Sequence, residues 1–150
     1  MLLSDAILEG AKLRKQGFVT FFPLLYPEAW AKNKDWDNMP SIDECEVCSC
    51  ALGAALDYSE PQFVADNLFS DIGSCAGQAF CTKFLDKLSE LFPQLNSSIS
   101  EDIFNKYIIE AGGRILYSKS YTLYNFIIHL NDANKFSREK ISTVLKEINY

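Results

Sequence analysis

Apolar residues recur at the spacing of a helix face through most of this chain, most regularly near its C-terminal end. There Ile141, Val144, Leu145 and Ile148 stand at i, i+3, i+4 and i+7. Ser137 precedes them as an N-cap whose hydroxyl can accept from an orphan amide, and Glu139 falls in the positive first turn. At the other end, Leu3, Ile7, Gly10, Ala11 and Arg14 share one face of an opening helix. Ser4 is expected to cap it, with Asp5 at its positive end, Lys12, Arg14 and Lys15 at its negative end, and Gly17 as its stop. That face is narrow and built of small residues, which predicts a close approach to another helix. The run Cys50-Ala51-Leu52-Gly53-Ala54-Ala55-Leu56 also has small side chains that let backbones come together, and it is expected to be the central packing contact of the domain.

Four further helices follow from the same periodicity. Pro61 or Ser59 opens one that turns Phe63, Val64, Leu68 and Phe69 inward. After a break at Gly73, Ser74 and Gly77, Phe80, Phe84, Leu85, Leu88, Leu91 and Phe92 form a broad stripe that Pro93 ends. Ser97, Ser98 and Ser100 offer caps for a helix carrying Ile103, Phe104, Tyr107 and Ile108, closed by Gly112-Gly113. Arg114 to Tyr121 reads as extended. Leu123 to Leu130 is apolar almost throughout and reads as a buried helix, although its β-branched and aromatic content also suits a strand. The pattern predicts an all-α fold, or a mainly α one with a small extended pair: about six helices in a single compact domain over residues 1–150.

Residues 18–48 interrupt the pattern with an aromatic and acidic insert. Pro23 and Pro27 keep Phe18 to Trp30 out of regular helix. Its aromatic residues Phe21, Phe22, Tyr26 and Trp30 form either an exposed recognition patch or a flap over the core, alternatives that only burial separates. From Asp35 to Glu46 carboxylates accumulate around the turn formers Asn38, Pro40 and Ser41. Asp35, Asp37, Asp43 and Glu46 fall at spacings of a calcium loop, yet Pro40 occupies the position that needs glycine, so a solvated acidic loop is expected.

Composition narrows the function classes. A net charge of −6 disfavours direct binding to nucleic acid or an anionic membrane, both of which need a basic surface. The first residues lack the order of a secretory signal, and no apolar run has the length of a membrane span, so a cytoplasmic protein is expected. Five cysteines in such a chain read as thiols or metal ligands before disulfides. Cys45 and Cys48 have the spacing of half a zinc site, and Cys50 with Cys75 or Cys81 would complete it. As small buried hydrophobes they need no metal. A thiolate at Cys48 or Cys50 would require the lone His129, which sits in an apolar run, as its base. No phosphate-binding glycine loop, nucleophile-elbow serine or zinc-protease histidine pair is present.

Three segments, Leu3 to Ala11, Cys50 to Ala55, and Leu130-Asn131-Asp132 followed by Ser137-Arg138-Glu139-Lys140-Ile141, together resemble a group of small bacterial proteins often encoded in prophages. The resemblance implies a compact, cytoplasmic, one-domain protein, and implies no reaction or ligand. Asn131 and Asp132 read independently as short polar residues that bond around the turn before the last helix and fix its position. The expectation is a non-enzymatic protein-binding or regulatory module with an unidentified protein partner, no cofactor, and homo-oligomerisation left open. A structural zinc or thiol-dependent protein and an acidic mimic of nucleic acid are the alternatives.

Overall fold

The computed structural model describes residues 1–68, 82–110 and 121–150. It is mainly helical with one small antiparallel sheet. The elements run α1 (Leu3–Gly10), β1 (Leu24–Leu25), α2 (Glu28–Asn33), β2 (Glu46–Val47), α3 (Ala51–Ser59), α4 (Pro61–Leu68), α5 (Thr82–Leu91), α6 (Glu101–Glu110), α7 (Leu123–Ile128) and α8 (Arg138–Glu147). The breaks at Gly73 to Gly77 and Gly112-Gly113, the stretch 114–120, and Phe69, Phe80, Cys75 and Cys81 lie outside the described residues.

Helix α3 is the element the others pack on. Ala51 through Asp57 are all buried, because α1, α4, α5 and α7 each press on it. Its lack of bulk sets the geometry. A Cβ at Gly10 of α1 would lie 1.9 Å from the Ala54 carbonyl oxygen, and one at Gly53 would lie 2.2 Å from that of Phe21. The small-residue faces of α1 and α3 therefore bring backbone against backbone on two sides of one helix, where larger side chains would hold them apart. Around this contact Leu3, Ile7, Leu52, Leu56, Phe84, Leu88, Phe126, Ile127 and Ile141 form a common apolar cluster.

Several expected ends agree with the observed ones. Ser137 Oγ accepts from the Lys140 amide at the start of α8, Pro61 opens α4, and Pro93 follows α5 into a short 3-10 turn. Ser100 Oγ accepts from Ile103 N–H at 3.3 Å before α6.

The start of α1 differs. Leu2 is its cap residue, Ser4 lies inside the helix, and the Ser4 hydroxyl is buried without a hydrogen-bond partner. The helix begins early because Leu3, Ala6 and Ile7 all need burial against the core, and the packing overrides the capping preference. It also ends at Gly10, short of Gly17, since residues 14–17 leave the helix to run beside the strand leading into α3.

The aromatic insert divides in two. Phe21 and Phe22 are buried and meet the Phe84 ring edge-on at 6.2 and 5.2 Å, so an exposed patch made of these two is excluded and the covering flap is what forms. Hydrophobic transfer explains it: an exposed pair of Phe would forgo ~1.5–3 kcal/mol each. Beyond β1 the chain leaves the body as an arm over residues 26–45, returning through β2, which pairs Leu24 with Val47 and Leu25 with Glu46.

Candidate functional site

Two places gather polar or aromatic groups that the core does not need. The first is the junction where the segment before β1 meets the head of α3. Gly17 N–H donates to Ser49 O at 2.9 Å, Ser49 N–H to Lys15 O at 3.0 Å, and Cys50 N–H to Phe21 O at 3.0 Å. Those bonds leave further backbone groups unmatched, and the two motifs from the C-terminal part supply their partners.

Asn131 and Asp132 sit in a wide helical turn, His129–Ala133, that continues α7 and bonds Asn134 N–H to His129 O. His129, Leu130, Asn131 and Asp132 are all buried in this turn, which carries one more residue than an ordinary helical turn. Asn131 uses both ends of its amide. Its Oδ1 accepts from Ala51 N–H at 3.1 Å, the first amide of α3, and from Gln16 Nε2 at 3.2 Å. Its Nδ2 donates to Gly17 O at 3.1 Å and to Asp132 Oδ1 at 2.7 Å. Asp132 Oδ1 also accepts from Val19 N–H at 3.0 Å. The positioning role expected for this pair is thus directed at the segment before β1 and at α3, rather than at the last carbonyls of its own helix. Val19 has φ 76°, a conformation that β-branched residues rarely adopt, and the Asp132 bond helps hold it there.

Arg138 completes the junction. Nη1 donates to Ser49 O at 3.3 Å and Ser49 Oγ at 2.7 Å, while Nη2 donates to Ala11 O at 3.0 Å and to Arg14 O. Its planar fork ties the exit of α1 to the residue before the α3 cap, and burial lowers its pKa from the usual value. Gln16 and Arg138 were the polar residues not singled out from sequence. The signal available for Arg138 was its place in the first turn of α8, where a base opposes the helix dipole and therefore needs another reason to be there.

Between Val19–Phe21, the head of α3 and α7 lies a half-open cavity of about 30 Å³, with Asp132, Thr20, Cys50 and Asn131 as its polar lining. Cys50 is the N-cap of α3: its Sγ accepts from Gly53 N–H at 3.3 Å. Burial pushes its thiol up to about 12. Cys48 is raised by burial and then by Glu46, and Cys45 by burial and then by Glu44. A nucleophilic cysteine needs a shift in the opposite direction. His129 is held below its ordinary pKa by burial, against the pull of Asp132, and its ring meets Phe104 edge-on at 5.3 Å. Among the described residues no three His, Cys, Asp or Glu side chains stand close enough to hold a metal. The two cysteines that would complete a zinc site with Cys45, Cys48 and Cys50 are outside them.

The second place is the arm. Helix α2 buries none of its residues. Tyr26 and Trp30 stack at 4.7 Å between ring centroids, and Trp36 meets Trp30 edge-on at 5.4 Å, with Trp30 Nε1 donating to Asp35 O at 2.9 Å. Tyr26 and Trp30 are half-buried, largely by one another's rings, whereas Trp36 is 70% exposed. Leu25 and Met39 are exposed on the same arm. Around them stand Glu28, Asp35, Asp37, Asp43, Glu44 and Glu46, against only Lys32 and Lys34. No helix among the described residues is long and apolar enough to cross a membrane. Compared with family models, curated proteins and solved structures, the chain matches none.

Proposed function

We propose that the protein is a non-enzymatic, cytoplasmic binding module with a regulatory role, docking a basic protein partner through the arm between β1 and β2. One observation carries the reading: a cluster of three aromatic rings in contact, with Trp36 70% exposed, stands on an arm whose helix α2 buries none of its residues. Exposed Trp and Tyr give large contact areas at low entropic cost and dominate interface energetics. The carboxylates around them favour a cationic partner and speed the encounter. The raised pKa values of Cys45, Cys48 and Cys50 run against nucleophilic chemistry at these three thiols.

The chain's two tryptophans, Trp30 and Trp36, are both in the arm, so intrinsic fluorescence reports on this surface alone. A partner captured from host lysate should shift and quench that emission, and Trp36→Ser with Tyr26→Ser should abolish capture while leaving circular dichroism and melting unchanged. Equal capture by the double variant would refute the reading. The acidic clustering also favours the nucleic-acid mimic as a second reading, in which the partner's site is one that DNA or RNA occupies. In that case an oligonucleotide competes with this protein for the captured partner.

A further inference from the structure

The cavity beside Asp132 has polar walls that the fold leaves incompletely used. Asp132 is 9% exposed, and both of its hydrogen bonds fall on Oδ1, so among the described residues Oδ2 has no hydrogen-bond partner. Thr20 lines the same cavity, with its hydroxyl turned into the protein and without a hydrogen-bond partner among the described residues. Burying such groups costs free energy unless something bonds them. At the head of α3, which would otherwise invite an anion, Ala51 N–H is taken by Asn131 Oδ1 and Gly53 N–H by the Cys50 sulfur. What remains is an acceptor carrying negative charge, in a space of about 30 Å³. That is room for roughly two water-sized groups. Phe21, Leu52, Tyr124, Ile127 and Ile128 make the other walls apolar or aromatic.

We propose that this cavity binds a primary ammonium on an unbranched alkyl chain, with Asp132 Oδ2 as the acceptor for the NH3⁺ group. The first methylenes lie against Phe21, Ile127 and Ile128, and the rest of the chain leaves through the open side. A free alkylamine and a lysine side chain share this chemistry. Asp132 also holds Val19 in its left-handed conformation, so a ligand drawing on its second oxygen stiffens the segment leading to β1.

The test is a backbone-amide NMR titration of the intact protein with n-butylammonium chloride, with N-acetyl-Gly-Lys-Gly-amide, and with n-butanol at matched concentration and ionic strength. Saturable shifts at Val19, Thr20 and Asp132 are expected with one or both amines. The peptide binding at least as well as butylamine assigns the site to lysine, and butylamine alone assigns it to a small amine. Butanol is expected to bind about tenfold more weakly or not at all, since it forgoes a charge-assisted hydrogen bond. Asp132→Asn is expected to weaken amine binding about tenfold. Because that change touches the junction, the cavity-filling Ile128→Phe serves beside it and is expected to lose the shifts while the rest of the spectrum stays native. Equal binding of butanol, shifts that survive both variants, or no saturable shift with either amine would overturn the proposal.

Discussion

Replacing Gly10 by alanine puts one methyl group at the tightest glycine position among the described residues. The new Cβ would lie 1.9 Å from the Ala54 carbonyl oxygen, where real Cβ atoms stay beyond 3.0 Å, so α1 and α3 must separate there by the difference, about 1.1 Å. The obstacle is backbone, so no rotamer change relieves it. Separation loosens Leu3, Ala6 and Ile7 against α3, and overpacking of this kind costs ~1–3 kcal/mol. Alanine's better helix propensity returns at most ~1 kcal/mol, and less at the last residue of a helix. The net expectation is a loss of ~2 kcal/mol, or ~4–8 °C in Tm for a chain of this size. Far-UV circular dichroism is the right assay, because both tryptophans sit on the arm and do not report on this contact. Adding Ala54→Gly to the variant is expected to rescue nothing, since the clashing atom is the carbonyl. A Gly10→Ala protein as stable as the parent would show that the helices have slack, and that α3 is not the rigid element that its neighbours are built on.

Other outcomes follow from the same structure. Ser4→Ala is expected to stabilise by ~1 kcal/mol in urea denaturation, because it removes a buried hydroxyl without a partner and improves helix propensity; loss of a working N-cap would instead cost ~1 kcal/mol. Arg138→Met keeps the apolar stem but takes the donor from Ser49 Oγ and from the Ala11 and Arg14 carbonyls, while Ser49 O keeps its bond from Gly17 N–H; the expected loss is ~3–5 kcal/mol by thermal melting, and Arg138→Lys is expected to recover little because one ammonium cannot fork to both Ala11 and Ser49. His129 is the only histidine, and its folded pKa is lowered from 6.5, so the unfolded chain binds the extra proton first and stability falls as pH drops below 6.5. An NMR titration of its single imidazole signal above 6.5 would contradict this. Cys50, with its thiol near 12, is expected to stay unlabelled by iodoacetamide at pH 8 in the native state while Cys45 reacts; equal labelling by mass spectrometry would refute the burial argument.

The helices were legible in the sequence where amphipathic period and caps agreed, as in α8 with Ser137 or in α4 with Pro61. That α1 and α3 would each pack closely was legible too, because a face of Gly and Ala has few uses besides approach, but that they meet one another was not. Ser4 misled because its capping preference, worth about 1 kcal/mol, competes with burying Leu3 and Ile7, and only the packing reveals which one wins. The Phe21 and Phe22 pair could not be told from Tyr26 and Trp30 by spacing: all four lie between or beside the same prolines, and what separates them is Phe84, sixty residues away. Asn131 and Asp132 showed as structural residues, but their partners at Gln16, Gly17, Val19 and Ala51 are non-local and leave no mark in sequence. Trp36 looked like one more residue of an acidic loop, since exposure has no period.

The arrangement around Arg138 also bears on when the protein can fold. The exit of α1 and the head of α3 depend on donors and acceptors from Asn131, Asp132 and Arg138, so during synthesis the first third of the chain waits, its backbone unmatched, until those residues clear the ribosome. A nascent chain halted before residue 130 would thus present two sticky glycine-bearing helices to whatever chaperone attends it, and the native junction would close late, in a step that joins the earliest and latest parts of the molecule at once.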